Sequence, residues 1–116
     1  MRVVLVGPCG AGKSTIAAAL ARRGIEAIVV GQEHSIVRDL WRRPGPDLLV
    51  FLDASLETVR ARRGQDWPEW LYRTEQERLA EARAHADLIV DTSCVSVEEV
   101  VERIVARLAE RTRDGA

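Results

Sequence analysis

Gly7-Pro8-Cys9-Gly10-Ala11-Gly12-Lys13-Ser14 decides how this chain reads. The spacing G-x-x-x-x-G-K-[ST] has a physical reason at each fixed place. Glycines let the backbone curl so that successive N–H groups face one anion, and the small residues Gly10, Ala11 and Gly12 allow close approach. Lys13 supplies a compact ammonium for the outer phosphates, and the Ser14 hydroxyl suits Mg²⁺. The candidate phosphate-binding residues are therefore Gly7, Cys9, Gly10, Ala11, Gly12, Lys13, Ser14 and Thr15. Composition sharpens this reading. The chain has sixteen arginines and one lysine, and that lysine is Lys13. A guanidinium fork does not replace a compact ammonium in such a loop.

On either side of the loop lie a strand and a helix. Val3-Val4-Leu5-Val6 reads as a buried parallel strand. Ser14 to Arg23 carries Ile16, Ala17, Leu20 and Ala21 at helical spacing, and Gly24 stops it. Residues 26–30 read as a second strand, which completes a βαβ unit. The helix N-terminus then points its positive end at the bound anion.

Farther along, Ser35 is expected to cap a short helix with Ile36, Val37, Leu40 and Trp41 on one face, ended by Pro44-Gly45-Pro46. Leu48 to Leu52 is a third apolar run, closed by Asp53. Ser55 is expected to cap a helix through Arg63. Asp66 and Glu69 read as a capping pair, with Pro68 in the first turn of a helix to about Ala84. Leu88-Ile89-Val90 is a fourth strand. Ser96 and Glu99 form a second capping box before the stripe Val97, Val100, Val101, Ile104, Val105 and Leu108. Residues 112–116 are expected to fray. The expected fold is α/β: a three-layer P-loop NTPase arrangement with a small, about four-stranded, mainly parallel sheet, in one domain over 1–116. Ligands of such sheets sit beyond the carboxyl ends of the strands.

The 116 residues suffice for one core, and 47% are apolar. A formal charge of −1 gives no global basic field, so neither nucleic acid nor an anionic membrane is an expected partner. The first apolar run is too short for a leader or a span, and the expectation is a cytoplasmic protein. Cys9 and Cys94 lack metal-ligand spacing and do not make a disulfide framework. Inside the loop, Cys9 reads as a passive small side chain rather than a redox thiol.

The loop and the way the chain ends resemble the P-loop kinases of small molecules, the adenylate, shikimate and gluconate kinase group. The resemblance covers most of the chain. It includes Asp47 to Arg63 with its Leu52-Asp53-Ala54, Arg78 ahead of Ala86-Asp87, Asp91-Thr92-Ser93, and the helix start Ser96-Val97-Glu98-Glu99-Val100. It implies ATP with Mg²⁺ as cofactors and a small-molecule acceptor. It also implies a lid-like region over 60–78, with Arg78 reaching the triphosphate and Arg60, Arg62 or Arg63 touching phosphates as the lid closes. Glu57, Glu75, Glu77 and Glu81 offer these arginines the alternative of a solvated helix face. One departure stands out. The group places a further strand, ending in an acidic residue, and a helical acceptor-binding segment where this chain has only residues 31–46. The acid that assists Mg²⁺ beside Ser14 is therefore Asp53, otherwise a helix-capping residue, or Glu33. Glu33 follows the second strand and has His34 beside it. Trp67, Trp70 and Tyr72 in the lid region, with Trp41, read first as core packing and second as cover for a base. The residues leave three possibilities open: a kinase, a nucleotide-binding or slow-hydrolysis module without an acceptor site, and a homodimer that completes the acceptor site.

Overall fold

The four apolar runs form one sheet: β1 (Val3–Val6), β2 (Ala27–Val29), β3 (Leu48–Asp53) and β4 (Leu88–Asp91). The computed structural model describes residues 1–114. Strand order is β2-β1-β3-β4 and every pairing is parallel. Val3 stands in register with Ala27 on one side and Leu48 on the other, and Val50 with Leu88. Four helices complete the fold: α1 (Lys13–Arg22), α2 (Leu56–Arg63), α3 (Glu69–His85) and α4 (Val97–Asp114).

Strand periodicity divides the core into two layers. Val3, Leu5, Leu48, Val50 and Leu52 pack with Ile16 and Leu20 of α1 and with Val100, Val101 and Ile104 of α4. Val4, Val6, Leu49 and Phe51 face the other way, toward Leu79 and Ala82 of α3 and toward Trp41. The three-layer α/β arrangement is thus the one expected. Because β1 and β3 are covered on both faces, their sequences are continuous apolar runs.

Local signals set most boundaries. Helix α1 ends where the Gly24 amide donates to Ala21 O and the Ile25 amide to Leu20 O, both at 3.0 Å, the paired bonds of a Schellman stop. Ser55 Oγ accepts from the Thr58 amide at 3.1 Å, and Ser96 Oγ from the Glu99 amide at 3.1 Å. Both expected caps are therefore present.

Three expectations need correction. Residues 35–43 do not form a helix. They lie among two single 3-10 turns, Gln32–His34 and Leu40–Arg42. Fully buried Gln32 explains this. Its Nε2 donates to Val37 O at 2.6 Å and its Oε1 accepts from the Trp41 amide at 3.0 Å, so side-chain bonds replace a helical ladder. Ile36 stays 82% exposed, so the supposed apolar face never forms. Asp66 does not cap α3. Pro68 holds the cap position in an extended conformation with no side-chain cap bond, after a turn closed by the Trp67 amide on Gly64 O. Finally, residues 112–114 continue α4 instead of fraying; 115–116 lie outside the described residues. Arg107 donates to Asp87 O at 3.0 Å, and Arg111 pairs with the Asp87 carboxylate, which fastens these last turns to the start of β4.

Gly7 ends β1 in close contact with β3. A Cβ built there would lie 2.0 Å from Leu52 O, a backbone atom of a buried strand that cannot step aside. Gly7→Ala is expected to destabilise the fold by about 3 kcal/mol, measured as a lower urea midpoint at unchanged m-value.

Candidate phosphate-binding site

The loop leaves β1 at Gly7 and enters α1 at Lys13, with Gly12 as the helix cap at φ 93°, a left-handed conformation that L side chains rarely adopt. The Ile16 amide donates to Gly12 O at 3.0 Å. The amides of Lys13, Ser14 and Thr15 precede it in the first turn, where an α-helix offers no carbonyl partner, which leaves them available as donors. Two loop amides are spent within the protein. The Ala11 amide donates to Pro8 O at 3.1 Å, and the Cys9 amide to Glu75 Oε1 at 2.9 Å. The Cys9 amide is thus turned toward α3.

Lys13 is only 9% exposed. Its Nζ donates to Gly7 O at 2.6 Å, to Pro8 O at 3.1 Å and to Glu33 Oε2 at 2.7 Å. An ammonium has three protons, and these three acceptors take them all. Glu33, on the 3-10 turn after β2, is buried as well, and its Oε1 has no partner. Arg78 reaches the same turn and donates from Nη1 to Glu33 O at 3.4 Å.

Arg62 ties the opposite wall. Its Nη1 donates to Gly10 O at 2.7 Å and its Nη2 to Thr92 O at 2.9 Å, while the Thr92 hydroxyl donates to Ala11 O at 2.8 Å. Two adjoining clefts share Gly12, Thr15 and Arg62. One, of about 230 Å³, is lined by Gly10, Lys13, Ser14 and Arg63 besides the shared residues; its charged groups are all cationic. The other, also about 230 Å³, adds Ala11, Ile16, Thr92, Val95, Val97 and Val100. It is an apolar slot with a guanidinium at its edge.

Other sequence candidates lie elsewhere. Asp53 does not share Glu33's contact with Lys13. Its carboxylate pairs with Arg83 and accepts from the Ala54 amide at 2.9 Å, while Arg83 lies over the Phe51 ring at 4.3 Å. Arg60 donates to Trp67 O at 3.0 Å and so braces the turn before α3. Trp41 is buried, Trp67 and Tyr72 pack against the core, and Trp70 stands 68% exposed. His85 stacks on Trp41 with ring centroids 5.5 Å apart.

Glu75 is the functional-looking residue that sequence reading placed wrongly. It is not on a solvated face but 1% exposed, with Oε2 lacking a partner. The signal was available: Glu75, Leu79 and Ala82 follow one helical stripe, and both apolar members are buried. Glu75 acts on Cys9. Burial first, then the Glu75 carboxylate, push the Cys9 thiol up to about 11.

Two outcomes follow. Cys9 stays a protonated thiol well above neutral pH, so iodoacetamide at pH 8 is expected to label exposed Cys94 and leave Cys9 largely intact, read by peptide mass spectrometry. Lys13→Met strands the buried Glu33 carboxylate. It is expected to cost about 3 kcal/mol in the nucleotide-free protein, with much of that recovered in Lys13→Met/Glu33→Gln, measured by urea unfolding.

Comparison with known proteins agrees with this architecture. Shikimate kinase from Acinetobacter baumannii, in complex with shikimate, superposes at TM-score 0.64 and 16% identity, over 94% of this chain and 93% of that chain. The Aquifex aeolicus shikimate kinase superposes at TM-score 0.63 and 17% identity, over 97% and 98%. The Bacteroides thetaiotaomicron shikimate kinase superposes at TM-score 0.65 and 16% identity, over 94% and 98%. No curated protein matches by sequence. The fold is that of the P-loop kinases. A family profile described as an AAA domain matches residues 3–113, nearly the whole length, and the chain belongs to that family.

Proposed function

We propose that this chain binds ATP with Mg²⁺ and transfers the γ-phosphoryl group to a small hydroxyl-bearing acceptor. One observation carries the reading: Lys13, the only lysine, is buried one hydrogen bond from the Glu33 carboxylate, beside a wholly cationic cleft that opens onto an apolar slot. A triphosphate suits the first cleft, where the amides of the α1 N-terminus, Lys13, Arg62 and Arg63 supply donors and positive charge. A flat base suits the second, which Val95, Val97 and Arg62 help to line.

Mg²⁺ is a hard cation that takes oxygen ligands. The Ser14 hydroxyl lines the cationic cleft, and Glu33 carries a buried oxygen without a partner. This donor set fits, and Ser14 with Glu33 would hold the ion; Asp53, bound to Arg83, is the weaker candidate. When bound, the ion neutralises charge on the outer phosphates.

The protein's own groups then do three things. Lys13 exchanges Glu33 and a loop carbonyl for phosphate oxygens. Glu33, released from Lys13, accepts the proton of the attacking hydroxyl. The new P–O bond forms as the bond from the γ-phosphorus to its bridging oxygen breaks, and ADP leaves. Arg78, which touches the Glu33 backbone, positions that turn and reaches the triphosphate.

A second reading, slow hydrolysis without an acceptor site, draws support from residues 31–46. They hold only two single turns, and Gln32 and Glu33 are packed out of solvent. In that case water is the acceptor.

Product analysis with ATP and Mg²⁺ separates the two. A phosphorylated product that forms from a panel of polyols and hydroxy acids is the expected result; phosphate release that no acceptor accelerates would sink the kinase reading. The base slot has its own check. Val97→Trp is expected to weaken ATP binding by about tenfold while leaving inorganic tripolyphosphate binding unchanged, by titration calorimetry. Equal losses for both ligands would remove the base from that slot.

A further inference from the structure

Behind the phosphate loop, on the α3 side, three side chains of different chemistry converge without any part in the scheme above. Cys9 Sγ lies 3.5 Å from His34 Nε2. Together with a Glu75 oxygen, these ligand atoms all fall within 4.8 Å of one another. The elements that bring them together are far apart in sequence: the loop, the turn after β2, and the middle of α3.

We propose that Cys9, His34 and Glu75 form a binding site for a thiophilic divalent cation, Zn²⁺ above all. The geometry fits the ion. A sulfur at about 2.3 Å and a nitrogen at about 2.0 Å on a tetrahedral Zn²⁺ stand about 3.5 Å apart, which is the separation of Sγ and Nε2 here. A sulfur, imidazole and carboxylate set suits Zn²⁺ and other late transition metals and is poor for Mg²⁺ or Ca²⁺. Two independent features point to a cation. Glu75 is 1% exposed with Oε2 unpartnered, an arrangement that costs stability unless something binds there. Glu33, also buried, adds a second carboxylate, with Oε2 4.0 Å from Sγ and 3.7 Å from His34 Nε2. Its remaining oxygen is likewise unpartnered. Lys13 already neutralises the Glu33 carboxylate at 2.7 Å, so Glu75 supplies the site's negative charge, and exposed His34 gives access from solvent.

Binding displaces the thiol proton to solvent and forms the metal–sulfur bond. No oxidant or reductant takes part. Occupancy links loop, turn and helix at one point, so it stabilises the folded chain by mass action. The site does not depend on the nucleotide reading, because no nucleotide group contributes to it.

The test uses Co²⁺ as a spectroscopic stand-in, added to the reduced, metal-free protein without nucleotide. The expected result is a thiolate-to-cobalt charge-transfer band that one equivalent of Zn²⁺ abolishes. Removing a direct ligand should cost more than the roughly tenfold to hundredfold loss typical of outer-shell changes. Cys9→Ser is therefore expected to lose the band, and His34→Ala to weaken Zn²⁺ binding by more than about tenfold. Cys94→Ser, which alters the exposed thiol, is expected to behave as wild type. Zn²⁺ should also raise the Tm of wild type and of Cys94→Ser but not of Cys9→Ser. A wild-type protein with no band, a band that survives in Cys9→Ser, or one that disappears in Cys94→Ser overturns the proposal.

Discussion

The ammonium of Lys13 is the charge around which the molecule is organised. A lone buried ammonium is very costly to desolvate, so the fold must bring acceptors to it. Two come from the loop itself, the carbonyls of Gly7 and Pro8. The third cannot be local. Glu33 arrives from beyond β2, which requires β2 to pair directly with β1 and the chain to turn at once after that strand. A buried pair of this kind is weak support for stability, since apolar substitutes often do as well. Its retention, with no other lysine in the chain, fits a group kept for what it binds.

The loop is held from outside by side chains reaching its backbone. Arg62 of α2 grips Gly10 O, Thr92 after β4 grips Ala11 O, and Glu75 of α3 grips the Cys9 amide. Arg78, also of α3, touches the turn that carries Glu33. Three anchors on three segments thus hold the loop that leads into the first-turn amides of α1. Preorganised donors of this sort lose little on binding, because the protein has already ordered them during folding. The apolar layers serve the same end. With α1 and α4 on one face and α3 on the other, the carboxyl ends of β1 and β3 are held in register.

Periodicity made the strands, the helices and the loop legible. Four apolar runs became four strands, and Ser55 and Ser96 cap the helices that follow them. What escaped reading is polar and buried. Gln32 belongs to no apolar period, yet it replaces a helix between 35 and 43 with its own hydrogen bonds. Glu75 looked like one acid among several on a charged helix, yet its stripe position next to Leu79 and Ala82 takes it inside. A pattern of apolar residues predicts where carbon is buried. It does not predict which polar group a neighbouring element will satisfy, because that partner comes from a distant part of the chain. Asp53 shows the same limit in reverse. Its place after the apolar run Leu48 to Leu52 made it a candidate metal helper, while Arg83, thirty residues on, claims its carboxylate.

On the proposed reading, charge conservation links the two halves of the reaction. Lys13 and Glu33 neutralise one another as an ion pair. Once Lys13 turns to a phosphate oxygen, Glu33 is left as a buried anion with one oxygen already unpartnered. That state is several kcal/mol unfavourable on general grounds, of order 3–5, and it relaxes only if Glu33 gains a cation or a proton. Mg²⁺ supplies the first and a hydroxyl acceptor the second. Phosphate binding therefore frees the very carboxylate that must act as base, and it does so only when the triphosphate is present. The Lys13–Glu33 pair is in this sense a lock. It keeps Glu33 unreactive until the ligand that needs a base has drawn its partner away.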